Sequence, residues 1–175
     1  MFEGDYTISG KHATYLKYLV NDAKVFVRYI DVYMNAAIIG FLYGRSEAKD
    51  NSSQDRARIY SDAFSTEKRQ CDFIYRLIML LDENNNLPHT ERLDRAFRND
   101  TQLNTDEAKA KHNSNMLLFH SYVFGGIEVL YEQFTSGATN REDYINKIYD
   151  ITANFKEEID GIPYEDELKE LVKSN

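Results

Sequence analysis

Two stretches of helical length carry glycine where a helix tolerates it least. Residues 116–134 run almost without charge through Gly125 and Gly126 at their centre, and in residues 32–44 Ala36, Gly40 and Gly44 recur at every fourth position. An interior glycine costs a helix about 1 kcal/mol relative to alanine, so Gly40, Gly125 and Gly126 together cost roughly 3 kcal/mol out of a total stability on the order of 5–15. Close helix packing is the expected compensation, because a missing side chain lets another backbone approach. Ser121, one turn before Gly125, extends the second small-residue stripe. Ala36, Gly40 and Gly44 on one side and Ser121, Gly125 and Gly126 on the other are therefore the expected packing or assembly positions. The two helices cross, or one of them meets its own copy in a dimer. The competing readings are a kink at the glycine pair and the approach of a ligand to bare backbone.

Elsewhere, apolar residues recur at three- and four-residue steps and not in alternation, and glycine (8) and proline (2) are scarce. The expected class is all-α: a single domain over residues 1–175, a helical bundle of about five to seven helices with two long central ones. Residues 1–9 read as an extended arm anchored by Phe2, Tyr6 and Ile8. Residues 11–43 fit one helix, with Leu16, Leu19, Ala23, Ile30, Tyr33 and Ala37 on its apolar stripe and Lys17, Asn21, Lys24, Arg28 and Asn35 opposite. A break at Asn21-Asp22 is the alternative, since both residues are poor in helix interiors. The polar run 45–56 is the best candidate for a mobile segment.

A second helix is expected from residue 58 or 65 to 83, with Cys71, Ile74, Ile78 and Leu81 as its stripe and Phe73, Leu77 and Leu80 flanking it. Thr90 is placed to cap a short helix ending at Arg98. Thr105, followed by Asp106 and Glu107, opens a long helix that stops near Ser136-Gly137. Asn140 caps a further helix reaching residue 160, and residues 162–175 form an acidic C-terminal helix. Thirteen tyrosines and ten phenylalanines without tryptophan point to a core built from aromatic rings.

Charge narrows the function. Residues 1–100 hold 14 Lys/Arg against 15 Asp/Glu, whereas residues 101–175 hold 7 against 14, so nearly all of the net −8 lies in the C-terminal part. Broad binding to nucleic-acid phosphate needs a positive surface and is not favoured. A local row, Arg92, Arg95 and Arg98, is the candidate contact for phosphates or an acidic partner; a solvated face or Arg–carboxylate bridges between helices is its bland competitor.

No motif of catalysis is present. None of the four histidines pairs at i, i+4 as a helical metal site requires, and Glu-x-x-His does not occur. Glu128 and Glu132 lie at i, i+4 with His120 two turns earlier on an adjacent stripe, and His120 and Glu128 are the first residues of any site assembled from distant positions. Cys71 is the only cysteine and lies on an apolar stripe, which marks a buried structural thiol. No metal or other cofactor is expected. Residues 116–134 contain His120, Glu128 and Glu132, so they read as a core helix and not as a membrane span.

The expectation is a non-enzymatic interaction module of the cytoplasm, self-associating or joined to another protein as an accessory subunit. Beside an enzyme whose site assembles from distant residues, two rivals remain at this point. One is a nucleic-acid-linked accessory protein of a bacterial DNA-modification or phage-defence system. The other is an acidic mimic that fills a partner's nucleic-acid channel through residues 157–170.

Overall fold

The N-terminal arm is a strand. In the structure, a computed structural model that describes residues 2, 4–84, 86–98 and 105–160 with side chains to residue 157, β1 (Tyr6–Ser9) pairs antiparallel with β2 (Arg56–Ile59). Ile8 lies opposite Ala57 and Tyr6 opposite Ile59, and Ile8, Ala57 and Ile59 are all buried on the inner face of the ribbon. Thr7 and Arg58 take the alternate, outward positions, as the two-residue period of a strand requires.

Helix α1 (Gly10–Lys17) follows directly and unwinds into a π turn over Tyr18–Asp22. The single helix expected over residues 11–43 therefore stops just past Asn21-Asp22, capped at Ala23, and resumes at Tyr29. Val25 and Phe26 both donate to the Leu19 carbonyl, and Lys24 takes a positive φ of 54°. Helix α2 (Tyr29–Leu42) restarts where the Asp31 carboxylate accepts the Arg28 N–H at 3.0 Å. Leu16, Leu19 and Ala23 before the break and Ile30, Tyr33 and Ala37 after it are all buried, so the apolar period continues across it and does not register it.

After β2 come α3 (Ser61–Thr66), α4 (Lys68–Leu81), α5 (His89–Phe97), the 30-residue α6 (Asp106–Thr135) and α7 (Arg141–Asp160). The fold is all-α with one small two-stranded sheet, and α6 is its long central helix. Thr105 caps α6 by accepting the Ala108 N–H at 3.1 Å, and the Asn140 side chain accepts the Glu142 N–H at 2.9 Å at the start of α7. The acidic helix expected over 162–175 lies outside the described residues.

Two compact units divide the chain, Met1–Ser136 and Gly137–Asn175. In the first, rings fill the interior: Phe2 stacks on Phe64 at 5.6 Å between centroids and meets Tyr33, Tyr75 and Phe119 edge-on. Among described residues, no helix is long and apolar enough to cross a membrane.

The segment 45–56 is tied down and does not stand free. Glu47 donates its N–H to the Ser121 carbonyl at 2.9 Å. Asp50 accepts the Lys11 N–H at the start of α1, and the Asp55 carbonyl accepts the Gly10 N–H at 3.1 Å. The Asp55 carboxylate also bonds Thr14 and Lys17. Its polar residues serve as caps and anchors for α1, which a composition of loop-forming residues does not reveal.

Candidate functional site

Helices α2 and α6 make the most extensive helix pair of the first unit, and they meet backbone to backbone. A methyl group on Gly40 would overlap the Tyr122 carbonyl oxygen and lie 2.9 Å from the Gly126 nitrogen; one on Gly126 would overlap the Ala36 carbonyl. Gly125 performs a different service, since a methyl group there would overlap the carbonyl of Arg45 in the strand of chain that leaves α2. Ser121 takes part through its own carbonyl, the acceptor for Glu47, while its hydroxyl donates to Leu118. Gly44 does not belong to the crossing. It has open space around the Cβ position and a φ of +60°, so it is the turn residue that ends α2. Gly40, Gly125 and Gly126 are thus covered by backbone of the same chain.

By letting residue 45 pass close over α6, Gly125 sets the Arg45 guanidinium beside Glu128, one turn on. Arg45 Nη2 lies 2.8 Å from Glu128 Oε2 and 3.4 Å from Glu132 Oε1. The other oxygen, Oε1, receives Lys11 Nζ at 2.6 Å and His12 Nε2 at 3.0 Å. Burial pushes the Glu128 carboxyl up, but the hydrogen bonds from Lys11, Arg45 and His12 outweigh it and hold the group below its ordinary value. Burial lowers the pKa of His12 against the pull of Glu128. The His12 ring stacks on Phe124 at 4.9 Å, and its Nδ1 has no partner among the described residues.

His120 and Glu128 do not share a site. The His120 ring stacks on Tyr6 at 4.2 Å, with its Nε2 3.0 Å from the Tyr33 hydroxyl, and burial pulls its pKa down to about 4. Glu128 instead has both oxygens engaged by cations and by His12, which makes it a clamp joining α1, α6 and the chain after α2. Among described residues, no three His, Cys, Asp or Glu side chains converge as a metal site. Cys71 is buried, and burial pushes its thiol up to about 12.

The Arg92, Arg95 and Arg98 row does not form one open basic face. Arg95 is buried and donates to the Met79 carbonyl at 2.7 and 3.0 Å, to the Asp82 carbonyl at 3.1 Å and to the Asp82 carboxylate at 3.2 Å, thereby capping the end of α4. Asp82 also accepts the Tyr122 hydroxyl at 2.6 Å. Arg92 pairs with Glu83 and Arg98 with Asp94. Residues three apart are turned by about 60° around a helix, so the row fans from Arg92, largely covered, through the buried Arg95 to Arg98, which is open to solvent.

What remains open is apolar. On α4, Cys71, Ile74, Ile78 and Met79 are buried, yet Phe73 (65% exposed), Leu77 (37%) and Leu81 (48%) form a second stripe facing solvent. The neighbouring α5 adds Leu93 and Phe97, each 48% exposed, and the Arg76 guanidinium of α4 lies 5.5 Å from the centre of the Phe97 ring, so the two stripes adjoin. The sequence carries this signal as a surplus: α4 has more large apolar residues than one buried face can use.

No protein-family model, curated protein or solved structure matches the chain.

Proposed function

We propose that the chain is a non-enzymatic helical interaction module of the cytoplasm that self-associates and serves as an accessory subunit. The observation that carries this reading is the exposed apolar stripe Phe73, Leu77 and Leu81 of α4, continued by Leu93 and Phe97. Scattered apolar side chains are ordinary on a protein surface, whereas a contiguous face of large ones marks a contact surface. The polar groups that a catalytic reading would use are committed to the fold: Glu128 to Lys11, His12 and Arg45, and Arg95 to the end of α4. The acidic mimic rests on residues 157–170, of which only Glu157 has a described side chain.

Light scattering and sedimentation across a concentration series test the proposal. A mass above the 20.4 kDa of one chain, lowered to that of one chain by Phe73→Glu, is expected. A single-chain mass at every concentration overturns self-association.

A further inference from the structure

We infer that the α4 face is the seat of a two-fold dimer in which α4 packs antiparallel on α4 of a second copy, with Leu77 at the axis. This rests on the self-association proposed above and names its surface and register. Three observations carry it.

Phe73, Leu77 and Leu81 are spaced by four, so the stripe is self-complementary about its centre. In an antiparallel pair Leu77 meets Leu77 of the second copy, and Phe73 meets Leu81 in both directions. A two-fold contact has this property of pairing a patch with itself, and ridges of i±4 residues are the commonest ones through which helices interlock.

Charge selects the direction. Lys68 and Arg69 stand exposed at the start of α4, while Glu83 lies just past its end with a carboxylate that reaches Arg92 and is still 78% exposed. Over Lys68–Leu81 three cations face one anion, Asp72, in a protein whose net charge is −8. Arg69, one turn before Phe73, borders the stripe, and a parallel pair would set it against its own copy. The antiparallel pair sets it beside Glu83 of the second copy and also opposes the two helix dipoles.

The face spans two helices and so offers more apolar surface than one stripe alone. Phe97, under Arg76, and Leu93 extend it sideways onto α5. Each copy then offers a two-helix surface, and association closes a four-helix layer with its large side chains inside.

Single-cysteine cross-linking in the full chain tests the register, read beside the solution mass. The native thiol of Cys71 is buried and does not compete. Leu77→Cys is expected to link to itself under a short bismaleimide, whereas Phe73→Cys and Leu81→Cys do so only when the two proteins are mixed. Phe73→Glu, with circular dichroism confirming its helix content, is expected to weaken the dimer roughly 100-fold or more. A single-chain mass overturns this inference together with self-association. A larger mass with no cross-link at residue 77, or with Phe73→Cys linking to itself, overturns the antiparallel register and leaves self-association standing.

Discussion

His12 Nε2 lies 3.0 Å from Glu128 Oε1, so two residues 116 positions apart close the first unit, one at the start of the chain and one deep in α6. Glu128 is 5% exposed and its side chain is held from three directions. Glu128→Ala leaves a buried imidazole and two cations without their shared acceptor and is expected to cost about 2–3 kcal/mol, because Lys11 and Arg45 keep access to water. Glu128→Gln keeps an acceptor for His12 and costs about half as much. Urea denaturation at pH 7 measures both. The Glu128 pKa is lower folded than unfolded, so the difference between wild type and Glu128→Ala is full above the ordinary carboxylate value and shrinks as pH falls through the folded one.

Acid acts on the fold through His120 as well. Its pKa is about 4 in the folded chain against 6.5 unfolded, so between these values the unfolded chain binds the extra proton. Stability is therefore full above about pH 6.5 and declines on acidification to about pH 4, by on the order of 2 kcal/mol once its partial exposure is allowed for. His120→Phe, which keeps the stack on Tyr6, is expected to flatten that slope. A pH series of thermal midpoints checks it, and an unchanged slope would discount His120.

The α2–α6 crossing makes a sharp distinction among glycines. Gly40→Ala and Gly126→Ala each drive a methyl group into a carbonyl of the facing helix and are expected to lose about 3 kcal/mol or more, although alanine is the better helix former by about 1. Gly44→Ala meets nothing and loses only about 1 kcal/mol through its positive φ. Calorimetric unfolding of the three variants measures the contrast.

Arg95 predicts a structural defect and no binding defect. Arg95→Met strands two carbonyls and the buried Asp82 carboxylate, an expected loss of about 3–5 kcal/mol. Arg98→Ala, on an exposed side chain, is expected to change stability by less than about 1 kcal/mol. Equilibrium denaturation separates the two.

Much of the helix plan was legible because caps are local. Thr105 and Asn140 begin their helices through side-chain bonds reaching two or three residues ahead. The small-residue stripes likewise carried steric information that needs no knowledge of the partner. Long-range pairings left no comparable trace. The ribbon of β1 and β2 joins four-residue strands about 50 positions apart, and the second is read as part of a loop or helix when seen alone. The break at residues 24–28 keeps the apolar period on both sides and so hides in it. Glu128 looked like a neighbour of His120 by helix spacing, yet its real partner is His12, brought in by α1. The Arg row divides for a related reason: spacing along a helix shows which residues share a face, while the carbonyl ends of another helix decide which arginine is drawn inside.

Where α2 and α6 cross at Gly40 and Gly126, main chain abuts main chain, with no side chain at that point to rotate out of the way. The pair can separate only as a whole, so its amides open to exchange with deuterium last and together. The ribbon and α5, attached through side chains, can loosen one residue at a time.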